Sequence, residues 1–355
     1  MEMKQNRRFL LSHTGKSQRL KIGSAPWIQQ LPQLWRMNLS KAFLRVSIPV
    51  LFFVAAASAP AAQLSTDART AVPHDVQQLV AIDYRAMENS TSATELKERI
   101  MPPELKRFED ALRKSGLNEN HDVEELAFAL FRTKGGEDRL DTVGIAQGQF
   151  SVQDILANFR KQKLKATLVR TNKVYPLPKT EMVVCFVDPS TMVFGDSDAV
   201  AKALDARDGV GSSLLNNANM MDAMKTVDTE PLWSILDQKG TQIMMRQVLG
   251  EAGSGADFET VRKHLLASWY SMDFQHGVKF NLTISTGDSF ASATLSSLLS
   301  AGLTVRKMSG TEAEKQALSG TSIASDAGRM SVHFATTDAQ FSSLLQSPLF
   351  RSMVR

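Results

Sequence analysis

Residues 182–204 read MVVCFVDPSTMVFGDSDAVAKAL. Met182–Val187 is apolar on both sides of an extended chain and too short for a buried helix, so it reads as a covered strand. Asp188-Pro189-Ser190 is turn chemistry. Thr191–Phe194 then returns alongside the first strand, and a helix opens at Asp198-Ala199. A strand, a reversal, a second strand and a helix make an antiparallel sheet with helices packed against it, the α+β class.

The same grammar extends in both directions. Upstream, Leu79–Tyr84, Leu126–Phe131 and Thr142–Gln147 read as strands. Glu104–Ser115 is an amphipathic helix with Leu105, Phe108 and Leu112 on one face and Gly116 just past its end. Ser151–Lys161 is a helix with Ser151 placed to cap it. Ala166–Arg170 and Val174–Leu177 read as weak strands. Downstream, the spacing predicts helices over Ala218–Val227, Thr241–Leu249, Phe258–Leu265, Ser289–Ala301 and Asp338–Leu345. It predicts strands over Leu232–Leu236, Ala267–Gln275, Val278–Thr286 and Met330–Ala335.

Parts of the second half repeat the first at an offset of about 140 residues. Phe150 aligns with Phe290, and Phe194 with Phe334. Asp198-Ala199 aligns with Asp338-Ala339. This predicts two related units, 75–208 and 209–355, each an antiparallel sheet with helices on one face.

Residues 37–61 carry the three parts of a secretory signal. Lys41 and Arg45 are followed by the apolar run Val46–Ala57 and by Ala59-Pro60-Ala61, with cleavage expected between Ala61 and Ala62. The apolar run is shorter than the ~20 residues that span a bilayer. Residues 1–36 read as an extended or non-native leader, and 62–74 as a flexible linker. The signal peptide, the Leu79–Tyr84 strand, the Leu232-Trp233-Ser234-Ile235 strand and the helices opened by Asp-Ala together resemble uncharacterised exported bacterial proteins with duplicated α+β repeats. That resemblance implies an exported protein and no catalytic residue.

Residues 1–61 hold nine of the 41 Lys and Arg and one of the 37 Asp and Glu. Residues 62–355 therefore carry 32 and 36, a net charge of −4. The basic whole-chain pI belongs to the leader, so the expectation is no nucleic-acid partner and membrane contact only through the export signal. The single cysteine, Cys185, rules out an internal disulfide and sits in an apolar strand, where a buried, unreactive thiol is expected.

The chain has no Gly-x-Ser-x-Gly elbow, no Ser-x-x-Lys set and no phosphate loop. His121 and Glu124 have helical spacing but lack the rest of a zinc motif. Asp196 and Asp198 lie at a strand end, where acids bind cations or cap helices, and Asp198 reads as the cap. Met220, Met221, Met224, Met244 and Met245 read as core packing rather than copper ligands. No catalytic residue, metal or cofactor is expected. The function expected is that of an exported, non-catalytic envelope protein acting by surface binding or as an accessory factor, and the alternative is a hydrolase or other enzyme with a site assembled from distant residues.

Overall fold

The structure is a computed structural model and describes residues 62–87, 90–132, 140–249 and 255–354. The expected leader, signal peptide and Ala61 lie outside these residues.

Short helix α1 (Thr66–Ala71) precedes β1 (Val76–Asp83), α2 (Thr91–Ile100), α3 (Pro103–Lys114) and the single turn α4 (Glu119–Asp122). Strands β2 (Val123–Arg132) and β3 (Leu140–Gly148) lead to α5 (Val152–Lys161), β4 (Thr167–Val169), β5 (Asn172–Pro176), β6 (Met182–Asp188) and β7 (Thr191–Asp196). Helix α6 (Ser197–Arg207), a 3-10 turn (Leu214–Asn216) and α7 (Ala218–Met224) connect to β8 (Leu232–Leu236). Then follow α8 (Gln238–Leu249), α9 (Ala256–Arg262), β9 (Leu265–Asp273), β10 (Val278–Thr286) and α10 (Ser289–Ser309). The chain ends through α11 (Glu312–Leu318), β11 (Ser322–Asp326), β12 (Arg329–Thr336), α12 (Asp338–Leu345) and α13 (Pro348–Val354).

All twelve strands join one sheet in the order β11-β12-β10-β9-β8-β1-β2-β3-β7-β6-β5-β4, and every pairing is antiparallel. The α+β class is therefore as the sequence predicts. The two expected units share a continuous sheet, joined where β1 pairs with β8. Outward from that seam the first half runs β1-β2-β3-β7-β6-β5-β4 and the second β8-β9-β10-β12-β11; in both a hairpin folds back with its second strand inside its first, β7 inside β6 and β12 inside β11, while β4 and β5 have no counterpart in the second half.

The residue pairs taken from the offset sit in unlike surroundings. Phe150 is 6% exposed and Phe290 68%. Phe194 is fully packed, whereas Phe334 is half-buried. Phe194 stacks on Phe108 at 4.7 Å between ring centroids and meets Phe128 edge-on at 5.9 Å. Its ring also lies across Gly144 on the neighbouring strand, where a Cβ would come within 2.2 Å of it.

Helix cover differs from the expectation of one covered face. On one face of the first half, Val80, Ile82, Leu126, Phe128 and Phe194 pack under α2, α3 and α5. On the opposite face, Leu79, Ala81, Phe131, Cys185 and Val193 pack under α1, α6 and α7, together with Trp233 and Ile235 of β8. Every residue of β1 is buried, which is why these strands read as apolar runs rather than alternating ones. In the second half a third core, with Leu282, Ile284 and Met330, lies under α8, α9 and α10. Direct cross-strand partners share a face. The chain of partners Val80, Ser234, Tyr270 and Leu282 places this core on the same face as the first one. The reverse face of β10 carries Lys279, Asn281, Thr283 and Ser285, each exposed or half-buried.

Residues 62–74 are not a loose linker. Ala62, Leu64, Ala68, Ala71 and Val72 are buried in the second core, because α1 closes the far face of the sheet. Residues expected as one helix from Phe258 to Leu265 divide into α9 and the start of β9. The methionines separate too: Met220 and Met224 pack in the second core and Met245 in the third.

Candidate functional site

The polar candidates singled out from sequence do not converge. His121 is exposed and bonds its neighbour Asp122 at 3.0 Å. Glu124 pairs with Arg85. Asp196, not Asp198, holds the cap position of α6, and it makes no side-chain capping bond. Asp198 lies two positions further on, in the first turn, where a carboxylate is favoured by the helix dipole. Ser151 likewise occupies the cap of α5 without a side-chain capping bond. Ala62, the expected first residue after cleavage, is fully buried. Among the described residues, no three His, Cys, Asp or Glu side chains group to hold a metal ion.

What the fold does assemble is a polar row that the sequence does not announce. Asp83 of β1 lies opposite Glu125 of β2, Glu125 opposite Gln147 of β3, and Gln147 opposite Thr191 of β7. The row crosses the end of four strands on the face otherwise made of Leu79, Ala81, Ala127, Ile145 and Val193. Gln147 donates through Nε2 to the Glu125 carboxyl. Asp83 is buried and accepts the Ala86 backbone N–H at 2.8 Å. Burial pushes the Glu125 carboxyl up to about 8, and the Asp83 carboxylate opposite and Glu124 beside it push the same way, against a backbone hydrogen bond from Gln63. Burial is the larger cause and the neighbouring acids the smaller, and both favour the protonated carboxyl at neutral pH.

The row is occupied by the chain itself. The Ser65 backbone N–H donates to Gln147 Oε1 at 2.8 Å. A little further along, Trp233 Nε1 donates to the Ala62 carbonyl at 2.9 Å, and the Ala62 N–H reaches the Glu230 carbonyl at 3.3 Å. Residues 62–65 thus lie across the strand ends as a strap, held by Glu125, Gln147 and Trp233. A carboxyl raised into the neutral range is the mark of many acid–base sites. Here its hydrogen-bonding positions face backbone and glutamine, which makes it an anchor.

Two other polar assemblies are present. Gln78 Nε2, Ser234 Oγ and the Tyr270 hydroxyl meet inside the seam between the halves, at 3.2 and 3.4 Å from the amide nitrogen. A cleft of about 250 Å³ on the outer side of α6 is lined by His74, Asp75, Lys202 and Asp205. Its Lys202 is tied to Asp75 at 2.7 Å and lies 4.1 Å above the Phe131 ring.

Sequence reading passed over Glu125 in favour of Glu124. The only signal was one polar residue at the end of each of four strands that are otherwise largely apolar, and the register that aligns them depends on pairings across the sheet.

No family description and no curated protein matches the chain. Among solved structures, crystal form I of TP0453 aligns with TM-score 0.45 and 12% identity over 78% of this chain and 96% of that one. Crystal form III of TP0453 aligns with TM-score 0.43 and 11% identity over 81% and 98%.

Proposed function

We propose that the chain is an exported, non-catalytic protein of the bacterial envelope that works by surface binding. Its contacting surface on this reading is the uncovered face of the second half, where Lys279, Asn281 and Thr283 stand beside Ser331 and His333. The observation that carries the reading is the use made of Glu125. The Glu125 carboxyl, raised to about 8, bonds Gln147 and backbone of the chain's own residues 62–65. A sheet face left open and polar, on a protein that covers both faces elsewhere, is a surface available to a partner. Already Asn281 and His333 are joined at 2.8 Å across it.

A photo-crosslinking residue at Thr283, compared with one at buried Leu282, tests the reading in living cells. Crosslinks to another macromolecule at position 283 alone support it, and equal silence at both overturns it. Recovery of the protein from the envelope or the periplasm with Ala62 as first residue supports export; retention in the cytoplasm with residues 37–61 attached overturns it.

The enzyme reading keeps one observation in its favour, the cleft between His74 and Lys202. A hydrolytic activity lost in His74→Ala and Lys202→Ala with the fold intact would replace the binding reading.

A further inference from the structure

The sheet is open, and its two edges are built differently. The β4 edge is three residues long and is flanked by Lys165 and Arg170, with Lys163 and Arg170 in left-handed backbone at φ 61° and 55°. Shortness, cations and kinks are the devices that keep a sheet edge from adding another strand. The β11 edge carries one charge, Asp326 at its end beside the turn, and no kink: Ser322-Ile323-Ala324-Ser325 is uncharged, and all five residues of the strand are in unbroken register with β12.

The tight turn fixes which backbone groups are free. Ala327 and Gly328 have φ 44° and 79°, the two left-handed positions of a type I′ hairpin. Asp326 and Arg329 then exchange both backbone bonds, as do Ala324 with Ser331 and Ser322 with His333. The N–H and C=O groups of Ile323 and Ser325 point away from β12, to the open side. Above this edge rests α10, a 21-residue helix packed on β11, β12 and β10, whose only charged residues are Arg306 and Lys307. Its buried residues are confined to its first turns. Met308 is 76% exposed, Phe290 is also bare, and Gly302 has open space where a Cβ would stand.

We propose that two copies of this chain join edge to edge through β11, antiparallel about a two-fold axis at Ala324, with their α10 helices side by side. In that register Ile323 and Ser325 of each copy exchange backbone bonds with Ser325 and Ile323 of the other, so the edge is its own complement. Charge agrees. Asp326 falls opposite the second copy's Ser322 rather than another acid, in a row between its own Arg329 and the second copy's His333. Distance agrees as well. Strands are about 4.8 Å apart, so a helix centred between β11 and β12 stands about 10 Å from its copy, near the 8–10 Å at which helices pack. Closed two-fold pairing also explains how an unguarded edge avoids open-ended association, since each copy has one such edge and the other is guarded.

Sedimentation of the chain at high micromolar concentration, with two variants, tests the proposal. The chain is expected at twice the monomer mass. Ser325→Pro removes an outward N–H without breaking a bond to β12, and is expected at monomer mass with an unchanged far-ultraviolet spectrum. Ala324→Cys places two thiols on directly opposed, non-hydrogen-bonded positions about 4.5 Å apart at Cα, within disulfide range. It is expected to oxidise to a covalent dimer, because Cys185 is 1% exposed and does not compete. If Ser325→Pro fails to fold, the Ala324→Cys crosslink decides alone. A monomeric chain, or a dimer in which Ala324→Cys forms no crosslink, overturns the proposal.

Discussion

The first half of the sheet is covered on both faces and the second on one, although each half contains a hairpin that folds back with its second strand inside its first. The contrast is written in side-chain alternation. In β1 and β2 both faces are apolar, and the few polar residues lie at strand ends. In β10, buried Leu282 and Ile284 alternate with Asn281, Thr283 and Ser285. The additional layer on the first half, made of residues 62–74, α6 and α7, turns a half-buried sheet into a central one. One sheet thus holds two kinds of region, and what decides between them is which segments return to cover the far face.

The largest test of this contrast is the aromatic pair. Phe194→Ala removes a ring packed against Phe108, Phe128 and Gly144, and should cost about 3–5 kcal/mol. Phe334→Ala, half-buried in the second half, should cost less than half as much. Denaturant unfolding measures both, and equal losses would break the contrast.

A smaller effect, of a few kcal/mol, is expected from pH. Folded Glu125 holds its proton up to about 8, while the unfolded chain releases it near 4.5. Between those values the unfolded state binds fewer protons, so stability falls as pH rises. The contribution is complete below 4.5 and lost as pH passes 8. Glu125→Gln should flatten the dependence when unfolding is followed at pH 5 and pH 8. An unchanged slope would show that the strap does not rest on this carboxyl.

Cys185 belongs to the doubly covered half, and burial raises its thiol to about 11. It should resist alkylation at pH 8, and Cys185→Ala should cost on the order of 1 kcal/mol. Rapid labelling of the native protein would mean that this layer opens.

The smallest effect lies on the open face. Thr283→Ala should change stability by no more than about 0.5 kcal/mol, as surface substitutions do. A larger loss in thermal unfolding would mean that this face is covered after all.

The sequence made the hairpin of β6 and β7, the central strands and most helices legible, because each shows its period within its own segment. Thr66–Ala71 was hidden because its small and polar residues resemble a linker until the sheet they cover is known. β11 was hidden because Ser322–Asp326 has one large apolar residue and takes its structure from pairing with β12. The row from Asp83 to Thr191 escaped for a related reason. Its members are separated along the chain, and only the register of three strand pairs brings them into line.

The pairing of β1 with β8 has a further meaning in time. Leu79 meets Ile235, and Ala62 is held by Trp233, so the first described segment completes its surroundings only after the middle of the chain has arrived. Such non-local closure is slow, on the order of milliseconds to seconds. A chain made from its N-terminus must wait with β1 flanked on one side only, and its hydrophobic central strands stay available to a chaperone or to aggregation until residue 235 is free to pair with it.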